Sequence, residues 1–145
     1  MNNPTVEMIS ATPTMEGSQG LLAIVFRSNS SDQRPTIGPM FITPPEASIQ
    51  AAFMRYKRGT EVAPHYHPLQ ERHISCTGEV VIVTKGRLQV NLYTNSSLFE
   101  RYIHLEAGDM IVLLAGGHGF IALDDVEVME VKQGPFNEAK DKVRF

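Results

Sequence analysis

Short apolar stretches recur along most of the chain, and turn-forming residues separate them. Candidate β-strands cover residues 21–27, 48–57, 79–84, 88–93, 102–105, 109–114, 120–123 and 126–131. Turn sequences such as Lys85-Gly86 and Asp124-Asp125 lie between them. No segment carries the spacing of an amphipathic helix over three turns. The pattern predicts an all-β domain, either a sandwich or a barrel.

The candidate strands are of two kinds. In residues 88–92, Gln89 and Asn91 alternate with apolar side chains, which is typical of a half-buried strand. Residues 80–83 and 110–114 are apolar throughout, which predicts strands that are buried on both faces.

The length and composition indicate a single folded domain. A chain of 145 residues with 42% hydrophobic and 20% charged residues has the size and composition of an ordinary globular domain. Residues 1–19 are polar and are interpreted as a tail or a loosely held edge segment. The folded domain is therefore predicted to span residues 20–145.

The charge and cysteine content exclude several classes of protein. The net charge is −3 and the 13 Lys and Arg residues are scattered, so we expect no nucleic-acid partner. The single Cys76 forms no intrachain disulfide and indicates a reducing compartment. The first 20 residues lack the features of a secretory signal, and no apolar run is long enough to span a bilayer. We expect a cytoplasmic protein without a membrane partner.

Two groups of residues have the chemistry of metal ligands. His65 and His67 lie two residues apart, so an extended chain directs both imidazoles to the same side. Glu79 opens an apolar strand and would supply an anionic oxygen ligand. His118 follows the apolar strand 109–114 in a glycine-rich turn that permits close backbone approach.

These residues resemble the two sequence motifs of the cupin superfamily. The first motif is matched by Gly59, His65, His67, Glu79 and Gly86, and the second by the segment from Gly108 to His118. The resemblance covers roughly residues 50–135 and is strongest to small single-domain cupins of a bacterial-type group. It implies a double-stranded β-helix, the cupin or jelly-roll barrel, with one divalent ion held by His65, His67, Glu79 and His118.

The chain departs from the cupin pattern in the interval before the glutamate. Residues 68–78 form a longer insertion between His67 and Glu79 than is usual in the family. Glu71 lies within this insertion, close to the usual carboxylate spacing, and is the alternative ligand. Glu79 is preferred because of its distance to Gly86 and its place at the start of an apolar strand. The histidine of the second motif is also displaced by one residue at His118.

Further residues are candidates to line a substrate cavity. Arg55 and Lys57 alternate with Tyr56 on a strand that leads to the metal motif, and a cationic face there would bind an anionic substrate. Gln89 and Asn91 are further candidates. His73 and His104 have no partner at ligand spacing and are interpreted as loop and strand-end residues.

Three functions are compatible with such a site. Imidazole and carboxylate ligands suit Fe, Mn, Ni, Co or Zn without selecting among them. The ion would chelate a small oxygenated molecule in an enzyme of the isomerase/epimerase or dioxygenase type. The alternatives are a non-catalytic module that binds a sugar or organic acid, with the metal as anchor, and a structural metal site. We also expect a homodimer, paired through edge strands such as residues 21–27.

Overall fold

The computed structural model describes residues 6–12, 20–29 and 37–145. Within these ranges the chain forms β-strands and no helix. The strands are β1 (Val6–Ser10), β2 (Leu21–Phe26), β3 (Gly38–Phe41), β4 (Ala52–Arg55), β5 (Glu79–Lys85), β6 (Arg87–Tyr93), β7 (Phe99–Glu106), β8 (Met110–Leu113), β9 (Gly117–Ala122) and β10 (Glu127–Lys132). The predicted all-β class is confirmed.

The strands form two sheets and one hairpin, and all pairs are antiparallel. The larger sheet has the order β1-β2-β8-β5-β10, and the smaller has the order β7-β6-β9. Strands β3 and β4 form the hairpin. This arrangement is consistent with a β-sandwich.

The main core lies between the two sheets. Every second residue of β6 contributes to it, namely Leu88, Val90 and Leu92. From the larger sheet, Val81 and Val83 of β5 pack into the same cluster. The alternation predicted for residues 88–92 is therefore confirmed.

The larger sheet is also covered on its other face. Ile24, Phe26, Val80 and Val112 point away from the main core and pack against the hairpin. The rings of Phe26 and Phe53 stack there with centroids 5.4 Å apart. Burial on both faces explains why β2, β8 and residues 80–83 of β5 are apolar throughout.

A buried ion pair ties the end of β2 to the turn between β7 and β8. Asp109 accepts hydrogen bonds from the backbone N–H groups of Ser28 and Glu106, at 2.9 and 3.1 Å. Its other partner is Arg27, whose Nη1 lies 3.1 Å from Asp109 Oδ2. The carboxylate thus closes the corner between the two sheets.

The N-terminal region differs in detail from the prediction. Residues 6–10 of the predicted tail or edge segment form the edge strand β1, whereas residues 1–5 and 13–19 lie outside the described ranges. Strand β2 lies between β1 and β8. Residues 21–26 are therefore an internal strand of the larger sheet, and the homodimer stays a prediction.

A long segment without strands separates β4 from β5. Residues 56–78 contain only turns, bends and extended chain, and all of them up to residue 77 are exposed. The segment includes the predicted insertion, residues 68–78. Across the described ranges, no helix has the length and apolarity required to cross a membrane.

Candidate functional site

Glu79 projects into the space between the two sheets. It is the first residue of β5 and pairs with Leu113 of β8 and Lys132 of β10. Alternate residues of a strand share a face, so Glu79 lies on the same side as Val81 and Val83 of the main core. Its side chain is only 8% exposed. A carboxylate therefore enters an otherwise apolar interior.

His118 reaches the same space from the smaller sheet. It lies on β9 opposite Leu92 of β6, and directly opposed residues of antiparallel strands point to the same side. Because Leu92 belongs to the main core, His118 faces inward. Its Nε2 lies 2.9 Å from Glu79 Oε2.

The Glu79 carboxylate lacks a hydrogen-bond donor for one of its oxygens. Oε2 is buried, and no described group donates to it a hydrogen bond of standard geometry, although His118 Nε2 lies 2.9 Å away. Contact with His118 nevertheless lowers the pKa of Glu79. Burial acts in the opposite direction, and Lys132 and Lys142 add to the lowering. The carboxylate is thus charged and incompletely partnered.

Lys132 is a neighbour of this pair that the sequence analysis did not single out. Its Nζ lies 4.0 Å from Glu79 Oε1, 3.5 Å from Glu130 and 2.7 Å from Asp141. The hydrogen bond to Asp141 raises the pKa of Lys132. Lys132 therefore remains a cation beside Glu79. Only the pairing register of β10 with β5 could have revealed it.

His65 and His67 lie in the exposed segment 56–78, with ring centroids 5.5 Å apart. His65 Nδ1 donates a hydrogen bond to the backbone oxygen of Ala63 at 3.0 Å. This bond fixes the tautomer and leaves Nε2 as the ring acceptor. Metal-binding histidines are commonly oriented by such a bond on the other ring nitrogen.

The four predicted ligands therefore form two pairs. In residues 6–12, 20–29 and 37–145, no three His, Cys, Asp or Glu side chains are placed to share an ion. The Glu79–His118 pair itself fits an ion of the first transition row. Two ligand atoms about 2.1 Å from one ion, at right angles, lie about 3.0 Å apart. The observed separation is 2.9 Å.

The alternative ligand and the remaining loop histidine lie elsewhere. Glu71 and His73 are both exposed within residues 68–78, whereas Glu79 is buried against His118. The carboxylate that faces an imidazole of the predicted set is thus Glu79.

The predicted cavity-lining residues are not brought to the Glu79–His118 pair. Gln89 and Asn91 alternate with the core residues of β6 and so lie on the outer face of the smaller sheet. Arg55 ends β4, in the hairpin that covers the opposite face of the larger sheet. Tyr56 and Lys57 follow it and are exposed.

A separate apolar cavity of about 240 Å³ lies under the hairpin. It is lined by Phe26, Ile42, Ala52, Phe53, Ile82, Gly108 and Met110. The larger sheet separates it from Glu79, and its lining carries no titratable side chain.

Comparisons with known proteins give no assignment. No protein-family model matches the chain, and neither the curated proteins nor the solved structures contain a match.

Proposed function

We propose that this chain is a jelly-roll protein of the double-stranded β-helix type that binds one divalent metal ion through His65, His67, Glu79 and His118. One observation carries the proposal: the buried Glu79 Oε2 has no hydrogen-bond donor among the described residues and lies 2.9 Å from an imidazole nitrogen. An unsatisfied buried oxygen is costly, and the cost is greater for a charged group. A cation bound to both atoms would remove that cost.

The strand order supports the same proposal. Strand β9 is an edge of the smaller sheet, and its outer edge pairs with no other described strand. The chain that precedes Glu79 forms no strand over residues 56–78 and is exposed over residues 56–77. If residues 62–68 paired with β9, each sheet of the sandwich would present His or Glu ligands to the interior.

The exposed apolar side chains of this segment favour such docking. Val62, Tyr66 and Leu69 are 53%, 86% and 106% exposed. In an extended strand Leu69 shares the side of His65 and His67, so docking would bury it and contribute up to about 1.5–3 kcal/mol. In an extended strand Tyr66 would point away from the side that carries His65 and His67.

The bound ion would supply Lewis acidity or an O₂-binding site for a small oxygenated substrate. The residues of the chain would hold the ion and exclude water from one side of it, because the neighbouring interior is apolar. Lys132 would keep the Glu79 carboxylate charged and oriented through its own contacts with Glu130 and Asp141. We therefore propose a metal-dependent enzyme of the isomerase/epimerase or dioxygenase type.

The test is the metal content of tag-free protein incubated separately with Mn, Fe, Co, Ni and Zn salts and then dialysed. We expect about one ion per chain for at least one metal. Glu79→Gln, His118→Ala and His67→Ala should each weaken binding by at least about 100-fold, because loss of a ligand exceeds the 10- to 100-fold effect of changing a neighbouring group. His73→Ala is the matched control and should keep full occupancy.

The outcomes separate the parts of the proposal. Wild-type protein that takes up no metal would refute metal binding, and His67→Ala with wild-type affinity would refute the four-ligand set. Circular dichroism of each variant checks that the fold is intact. Oxygen uptake with small-molecule panels then distinguishes a dioxygenase from an isomerase.

A further inference from the structure

The outer face of the smaller sheet carries a compact group of polar side chains. Gln89 and Asn91 of β6 lie directly opposite His104 and Tyr102 of β7. Opposed residues point to the same side of a sheet, so these four side chains form one surface, here called the amide patch. It lies on the reverse of the face that carries His118.

A trough runs beside the amide patch. On β9 the residues opposite Tyr93 and Asn91 are Gly117 and Gly119. A Cβ atom added at Gly119 would meet no atom within 4 Å. At Gly117 the ring of Phe145 fills this space, because an added Cβ would lie 2.7 Å from it, so the trough exposes backbone at Gly119. Tyr102 stands on the far side of β6 from the trough.

Hydrogen bonds hold the amide patch in one arrangement. Gln89 Nε2 donates to Asn91 Oδ1 at 2.9 Å. Gln89 Oε1 accepts from His104 Nε2 at 3.1 Å, which leaves His104 Nδ1 as an acceptor. Asn91 Nδ2 donates to no group in the described ranges and so retains two donors. The patch thus offers preorganised donors and an acceptor to a ligand.

An aromatic ring lies next to these polar groups. The ring of Tyr102 is 57% exposed and lies 5.2 Å from the His104 ring, tilted by 34°. Tyrosine offers a rigid surface that is apolar on its face and polar at its hydroxyl, at low conformational-entropy cost. The ligand that fits should therefore combine C–H surface with hydroxyl groups.

The amide patch itself contains no Lys, Arg, Asp or Glu. The nearest cation on β6, Arg87, is paired with Asp124 at 2.7 Å. A charged ligand would find no counter-ion at the patch. We propose that the amide patch and its trough bind a neutral carbohydrate, which supplies both hydroxyl donors and acceptors and an apolar ring face. This site is separate from the proposed metal site.

The test is an NMR titration of ¹⁵N-labelled full-length protein with cellohexaose, xylohexaose, maltohexaose and mannohexaose, with and without EDTA. At least one sugar should shift the amides of the patch and of Gly119, and EDTA should leave the affinity unchanged. Tyr102→Ala should weaken that binding about tenfold, whereas Tyr102→Phe should keep most of it. Phe41→Ala, which removes an exposed aromatic ring of the β3–β4 hairpin, should have no effect.

A second variant tests the trough itself. Gly119→Val should abolish binding by filling the trough, and it should fold because an added Cβ finds open space. The proposal is wrong if none of the four sugars shifts these amides, or if the shifts centre on Glu79 and His118. It is equally wrong if Tyr102→Ala changes only the oligomeric state, because the face would then be a protein contact.

Discussion

Replacement of Asp109 by alanine should strongly destabilise the fold. The carboxylate is 5% exposed and accepts hydrogen bonds from two backbone N–H groups and from Arg27, whose side chain is 15% exposed. Removing it leaves a mostly buried guanidinium without its counter-ion, which costs about 3–5 kcal/mol. For a domain of this size we expect a fall in Tm of about 10–15 °C.

Urea unfolding followed by circular dichroism would measure this loss. Asp124→Ala is the matched control, because Asp124 also pairs with an arginine, Arg87, but both side chains are largely exposed. It should leave the midpoint nearly unchanged. Asp109→Asn, which keeps the shape and one acceptor, should fall between the wild type and Asp109→Ala. A loss below about 1 kcal/mol for Asp109→Ala would refute the reasoning that the corner depends on this carboxylate.

Two further predictions concern the turn between β5 and β6 and the buried carboxylate of Glu79. Gly86 has φ +76°, and an added Cβ there would lie 2.4 Å from the backbone oxygen of Asp125. Gly86→Ala should therefore lower the free energy of unfolding by about 1–3 kcal/mol, measured by thermal melts. Gly20→Ala, where an added Cβ meets no atom within 4 Å, should leave it unchanged. The pKa of Glu79 is below its ordinary 4.5, so in metal-free protein this residue stabilises the fold above that pH and the stabilisation is lost as the pH falls. As the pH falls from 6 to 3, the urea midpoint should therefore decline less steeply for Glu79→Gln than for the wild type. Parallel curves for the two proteins would contradict the lowered pKa of Glu79.

Much of the fold was predictable because the buried strands have a strong local signal. Strands β5, β6 and β8 are found in the apolar stretches that the sequence indicates, and the turn before β6 contains the expected glycine. Strands β1 and β3 were missed. Each is short, and β3 includes Pro39, which weakens any strand prediction. Four or five residues carry too little alternation to distinguish a strand from a loop.

The site was predictable in part. The sequence correctly placed Glu79 at the start of a buried strand. His118, expected in a glycine-rich turn, instead lies on β9, and its pairing opposite Leu92 of β6 directs it towards Glu79. The pairing of Lys132 with Glu79 depends on the register between β5 and β10, which no local pattern determines. Gln89 and Asn91 were expected near the cavity, but the apolar residues of β6 occupy the interior and direct these amides outward. That Glu79, His65 and His67 share one ion stays a prediction.

The order of strands in the larger sheet has a consequence for how the protein is made. Strand β2 is apolar along its whole length, and Ala23 pairs with Leu113, 90 residues later in the chain. At about 5–20 residues per second, a ribosome needs roughly 5–20 s to synthesise that interval. Throughout this time β2 lacks its inner neighbour β8, and β6 and β7 of the second sheet are completed only late in the interval. The nascent chain therefore exposes an aggregation-prone segment for seconds, and a chaperone that binds extended apolar peptides would be expected to occupy residues 21–26 until β8 emerges.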